Sequence, residues 1–221
     1  MRKLEIGTSV RGRKIMAYRV GDPTAKVKAV VLGAIHGNEK AGITVARAIR
    51  KADRKKNGER GRIKDVDLWV VPTINPDGVV KNRRQNARNV DLNRNWGVKW
   101  APLSSPYYSG KRAWSEPETR AFRKFLKQVD PRFVVSFHQP LHGVGTTDKR
   151  PAFVKRLARQ LGLPIKPFNC TGQCHGTMTD WVNGRLKGTA VTVEFGSRPR
   201  GKYLRNRAVR GTIRAVLGRL P

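Results

Sequence analysis

Several residues have side chains and spacings suited to chemistry. His36 and Glu39 stand three apart in His36-Gly37-Asn38-Glu39, so both can point into one site. Zinc accepts an imidazole nitrogen together with a carboxylate oxygen. A His-x-x-Glu pair is common by chance, and a metal site needs a third ligand. The chain has four histidines, His36, His138, His142 and His175. His138 follows the apolar run Phe133 to Phe137, and ligands in open α/β sheets gather at that carboxyl edge. On its own it also fits a satisfied structural histidine. His142 fits surface or core packing better than a place in the site. Glu194 interrupts the apolar run Val191-Thr192-Val193-Glu194-Phe195. A carboxylate there is costly unless paired or used. Asp148, Asp180 and Glu194 are the only acids after residue 131. Glu194 therefore reads as a general base, or as the partner of one of the many arginines. The stretch Arg84 to Trp96 is dense in planar polar groups, including Arg84, Asn93 and Arg94. Guanidinium forks suit carboxylates. The same composition fits a nucleic-acid patch or a solvated loop.

These residues need elements to position them. Arg19–Val20 and Lys28–Ile35 flank a Gly21-Asp22-Pro23 turn and read as a hairpin or strand pair. Ala29 to Leu32 has the length of a buried strand. Glu39 to Lys51 reads as a helix with Ile43, Ala46 and Ile49 inside, and Asp53 to Lys64 as a charged surface loop. Val66 to Val71 is a strand stopped by Pro72, and Asn75-Pro76-Asp77-Gly78 signals a turn. Ser115-Glu116-Pro117-Glu118 has the capping-box pattern, with Ser115 as N-cap. The helix it opens buries Phe122, Phe125, Leu126 and Val129 and ends at Pro131. Arg132 to Phe137 and Ala190 to Phe195 read as strands, and Pro151 to Leu161 and Tyr203 to Leu217 as helices. Strands alternating with helices imply one α/β domain over residues 1–221. Its sheet would be mixed, twisted and mostly parallel, with helices on both faces.

Composition bounds the remaining classes. The chain has 221 residues, 47 Lys+Arg against 15 Asp+Glu and a net charge of +32. Such charge favours polyanions, whether nucleic acid, acidic wall polymers or anionic lipid. No apolar run approaches membrane-spanning length. The first seven residues lack the apolar stretch of a signal peptide, so the chain is expected to stay in the cell unless a leader is absent. Two cysteines, Cys170 and Cys174, exclude a disulfide scaffold.

In order, six pieces resemble the zinc carboxypeptidase family, the carboxypeptidase A-like metallopeptidases, from about Ile6 to Arg200. They are His36-Gly37-Asn38-Glu39, Asn75-Pro76-Asp77-Gly78, Arg84 ahead of Val90 to Asn95, Ser115 to Arg120, Ser136-Phe137-His138 and Val193-Glu194-Phe195. The compact size and the Val-Asp-Leu-Asn-Arg-Asn wording most resemble the murein peptide amidase branch. Those enzymes remove diaminopimelate from the γ-D-glutamyl bond of cell-wall peptides. The resemblance implies one zinc ion per chain, held by His36, Glu39 and His138 with a water as fourth ligand. It makes Glu194 the proton shuttle, Arg84 the oxyanion donor, and Asn93 and Arg94 the grip on the substrate's C-terminal carboxylate. Asp91 would accept a hydrogen bond from a zinc-bound histidine. Asp180 would receive the ammonium of diaminopimelate, Lys or Arg, or is a surface carboxylate. Many members place a tyrosine about twenty residues before the catalytic glutamate, whereas residues 170–181 contain none. Cys170 and Cys174 flank that loop as a disulfide, as free thiols, or as adventitious metal ligands with His175. The expected partner is a small cell-wall peptide, with nonspecific attraction to anionic polymers, and the expected state is a monomer. The rivals are a carboxypeptidase for C-terminal Lys or Arg, a deacylase like aspartoacylase or succinylglutamate desuccinylase, and a non-enzymatic polyanion-binding module.

Overall fold

The computed structural model describes residues 3–53, 63–168 and 173–218. Most of the expected Asp53 to Lys64 loop, and Cys170 of the cysteine pair, lie outside these described residues. Eight strands form one sheet. They are β1 (Lys3–Thr8), β2 (Lys14–Gly21), β3 (Lys28–Leu32), β4 (Asp67–Val71), β5 (Phe133–His138), β6 (Leu141–Gly145), β7 (Ile165–Lys166) and β8 (Thr189–Gly196). Their order is β1-β2-β4-β3-β5-β8-β6-β7. The middle strands β4, β3, β5 and β8 run parallel, while β1–β2, β2–β4 and β6–β8 pair antiparallel. β1 carries a register shift between Glu5 and Gly7.

The middle strands read as continuous apolar runs because both faces are covered. Val31, Val135, Val193 and Phe195 point into one core, with α1 (Ala41–Ala52), α4 (Pro151–Leu161) and the chain's last helix. That helix comprises α6 (Gly201–Tyr203), a π turn (Leu204–Ala208) and α7 (Val209–Leu217). Val30, Leu32, Val71 and Val134 point the other way, against α3 (Pro117–Val129) and α5 (Met178–Arg185). The expected inner faces, Ile43–Ala46–Ile49 and Phe122–Phe125–Leu126–Val129, are buried.

Three expectations need correcting. The strands either side of Gly21-Asp22-Pro23 are not neighbours, because β4 lies between β2 and β3. The connection steps over one sheet position, which β4 then fills by bonding both. Asn75-Pro76-Asp77-Gly78 is not a free turn but the start of helix α2 (Pro76–Lys81), with the Asn75 side chain accepting from Gly78 N at 2.9 Å. Ser115 does not cap α3. Glu116 is the N-cap, and Ser115 Oγ donates to it at 2.8 Å. Glu118 accepts from Val10 N and from Asn86 Nδ2, so long-range demand overrides the local box.

Candidate metal centre and active site

The site forms where β3, β5 and β8 end. His36 and Glu39 follow β3 on the segment leading into α1, and His138 is the last residue of β5. Helix α1 begins at Ala41, so Glu39 stands ahead of it and not on its face. The segment is fixed from below by a close backbone contact. A Cβ on Gly37 would lie 2.0 Å from the carbonyl carbon of Gly78. The carbonyl of Arg84 accepts from both Gly37 N and Asn75 Nδ2. The His-Gly-Asn-Glu and Asn-Pro-Asp-Gly segments are thus one packed unit.

His36, Glu39 and His138 are buried, and each offers a ligand atom within 4.8 Å of the others. His36 Nδ1 is 2.8 Å from Glu39 Oε1, and His138 Nδ1 is 3.0 Å from Glu39 Oε2. The far side of each imidazole is also held. His36 Nε2 is 3.0 Å from Asp91 Oδ1, and His138 Nε2 is 3.0 Å from Ser136 Oγ. Such outer contacts fix the tautomer and direct one nitrogen inward. Glu39 Oε2, though 3.0 Å from His138 Nδ1, makes no hydrogen bond of good geometry. Two oriented imidazoles around a buried carboxylate suit a zinc ion.

Charge follows the geometry. Burial disfavours a charged His36, but the Glu39 and Asp91 carboxylates prevail and raise its pKa. Burial also works against the Glu39 carboxylate, yet His36 and His138 hold it well below the usual range. Asp91 is likewise held low against its burial, by His36, Arg84 and Arg94. Glu194 moves the other way. Burial raises its pKa, Glu39 adds to this, and His138 opposes it. Glu194 is opposite His138 in the β5–β8 register, and its Oε2 accepts from Leu141 N at 3.3 Å.

The remaining expected residues surround this centre. Arg84 donates Nε to Asp91 Oδ2 at 2.8 Å, and its Nη1 reaches Glu39 Oε1 at 3.5 Å. The Asn93 side-chain oxygen accepts from Met178 N at 3.0 Å, which turns its amide NH2 away from that bond. Arg94 is 5% exposed, donates Nη1 to Asn93 O and leaves Nε without a partner. Burial lowers its pKa, and Asp91 and Asp180 are close enough to oppose that. Asp180 lies half-buried in the first turn of α5, where its N–H is capped by Thr177 Oγ1. His142 is exposed on β6. His175 Nδ1 lies 3.2 Å from the carbonyl oxygen of Lys99.

Two residues at the site were given no role by the sequence reading. Ser136 had a signal. Two positions before His138 on a strand, it must share that histidine's face. Tyr107 had none. Its half-buried ring lies 5.3 Å from the Arg84 guanidinium and 5.4 Å from that of Arg94.

Comparisons with known proteins agree with this arrangement. Residues 1–143 match the family model described as zinc carboxypeptidase. Carboxypeptidase SOL1 of Arabidopsis thaliana is 30% identical over 166 residues, which are 67% of this chain and 32% of that protein. Murein peptide amidase A of Escherichia coli K12 is 28% identical over 154 residues, 61% of this chain and 60% of that protein. The chain thus spans from about a third to three fifths of these curated relatives. Murein-tripeptide amidase MpaA from Escherichia coli O157 superposes with a TM-score of 0.77 at 22% identity, covering 99% of this chain and 92% of that one. Carboxypeptidase A from Helicoverpa armigera superposes with a TM-score of 0.78 at 18% identity, covering 98% and 68%. With a family model matched over more than half its length, the chain belongs to the zinc carboxypeptidase family.

Proposed function

We propose that this chain is a zinc-dependent metallocarboxypeptidase or amidase that hydrolyses a C-terminal amide bond. The substrate it fits best is a γ-D-glutamyl cell-wall peptide, from which it would release diaminopimelate. One observation carries the reading. A buried His36–Glu39–His138 cluster has Glu194, a raised-pKa carboxylate, beside it in strand register. When bound there, zinc supplies a Lewis acid that lowers the pKa of a water and polarises the scissile carbonyl. Glu194 takes a proton from the attacking water and returns it to the amine as the C–N bond breaks. Arg84 faces the oxyanion that develops on the carbonyl oxygen. Removing one such donor slows the chemical step by about 10²–10³-fold. Arg94, a buried cation without an ion pair among the described residues, needs an anion, and a terminal carboxylate provides one. The free amide NH2 of Asn93 adds a second donor. Asp180, near enough to Arg94 to act on it electrostatically, would receive a side-chain ammonium. The name of the murein peptide amidase relative supports the wall peptide over a Lys- or Arg-ending peptide.

The test is release of free diaminopimelate from L-Ala-γ-D-Glu-diaminopimelate by zinc-loaded protein. Peptides ending in Lys, Arg or Phe and an N-acylated amino acid serve as competing substrates. Preferred cleavage of the acylated amino acid would replace this reading with a deacylase. Glu194→Gln is expected to retain zinc and lose turnover, and turnover near wild type would overturn the mechanism.

A further inference from the structure

The charge of the chain is unevenly laid out, and the fold gathers its most one-sided part into a single layer. Helix α1, helix α4 and the last helix, residues 201–217, all cover the same face of the sheet. Helix α4 and the last helix are bonded to each other, Arg156 Nε donating to Ala215 O, Tyr203 Oη to Leu161 O and Arg207 Nε to Gln160 O, and α1 shares their apolar core. The three carry eleven Lys and Arg residues, three in α1, three in α4 and five in the last helix, and no Asp or Glu. Nine of the eleven are exposed. Among the described residues none is ion-paired. On the other face α5 carries a half-buried acid, Asp180, whereas the acid of α3, Glu118, is buried.

A layer of helices side by side, cationic throughout and unneutralised, has one general property: it binds a flexible polyanion through many weak phosphate-type contacts. Its other features narrow the partner. The exposed large apolar residues, Val80, Leu141 and Ile165, all lie off these helices, so nothing here inserts into a lipid surface. Its aromatic residues are Phe153, buried, and Tyr203, half-buried and bonded to Leu161, so no ring is offered to stack on a base. Eight of the eleven are arginines, whose forks suit phosphate oxygens.

We propose that this layer is a docking surface for a phosphodiester-linked polyol polymer carried on the cell wall, separate from the metal centre. The choice of wall polymer as partner rests on the proposed wall-peptide activity, whereas the polyanion chemistry rests on the layer itself. The site opens at the carboxyl ends of the strands, and the layer covers a face of the sheet. Docking through one therefore leaves the other free, and holds the enzyme where its substrate is dense.

The experiment is co-sedimentation of the whole protein with wall sacculi at 0.15 M salt. Sacculi bearing the phosphodiester polymer are compared with sacculi stripped of it by hydrofluoric acid. Free duplex DNA and anionic vesicles are added as competitors at matched phosphate. The test variant is Arg159→Gln, Arg205→Gln, Arg210→Gln and Arg214→Gln combined. The control removes equal charge elsewhere, as Lys3→Gln, Lys81→Gln, Lys124→Gln and Lys127→Gln. Stripping and the layer variant are each expected to weaken binding about ten-fold or more, with the control far less affected. Equal binding to stripped sacculi, equal loss in the control, or stronger competition by DNA or vesicles would overturn the proposal. Hydrolysis of a small soluble peptide keeps the two readings apart. The layer variant should leave it unchanged, and Glu194→Gln should still sediment with sacculi.

Discussion

At the scale of single residues, the metal centre is defined as much by what lies behind the ligands as by the ligands. Ser136 Oγ engages the outer nitrogen of His138 as Asp91 engages that of His36. Ser136→Ala is expected to weaken zinc binding about ten-fold or more, the lower end for such outer contacts. Competition with a chelator measures this, and an unchanged zinc affinity would deny Ser136 the role. If Tyr107 orients the two guanidiniums it faces, Tyr107→Ala should both raise KM, through Arg94, and lower kcat, through Arg84, while Tyr107→Phe keeps the ring and stays near wild type. A ligand set can be read from a sequence because His and Glu are rare enough to count. Ser136 could have been read from its place two before His138 on a strand, but Tyr107 could not, because tyrosines stand at surfaces for many reasons and only the fold brings this one to the site.

At the scale of elements, close packing decides where the site segments sit. Gly37 and Gly78 meet backbone to backbone, and a methyl at Gly37 would overlap Gly78. Gly37→Ala should destabilise by about 2 kcal/mol, the usual size of an overpacking strain, and lower the Tm by roughly 4–8 °C. A calorimetric scan checks it. Near the start of α3, Glu118 is buried and its pKa is raised, chiefly by that burial. A carboxyl that holds its proton more tightly when folded favours the folded state at low pH. That advantage fades as pH rises from the ordinary glutamate range through the raised value. The stability of Glu118→Gln relative to wild type should therefore increase with pH across that window in parallel denaturant titrations, and a pH-independent difference would contradict it. Helix α4 was legible to both ends because Pro151 opens it and Gly162 closes it. Strand β6 was not, because Leu141-His142-Gly143-Val144-Gly145 neither alternates nor forms an apolar run. The Ser115 cap failed for a different reason, since its acidic neighbours are claimed by Asn86 and Val10, residues far away in sequence.

At the scale of the whole molecule, the fold hides negative charge. Glu39, Asp53, Asp67, Asp77, Asp91, Glu116, Glu118 and Glu194 are all buried, whereas Arg94 is the one buried residue among the described lysines and arginines. The exterior is therefore more cationic than the net +32 states. Copies of the chain should repel one another, and light scattering at low salt is expected to report a monomer. Activity on whole wall should fall steeply with added salt while activity on a soluble tripeptide changes little, because screening removes long-range attraction and spares buried contacts. A net charge is legible in a sequence, but its sorting is not, since burial depends on partners such as Arg19 for Asp67 and Arg13 for Asp77. The rims of the sheet complete the exterior. β1 is broken by its register shift and β7 is two exposed residues long. Neither rim offers a straight, unpaired ladder onto which a strand from another chain could grow. If the protein docks on a polymer, its crowded copies are therefore expected not to seed fibrils.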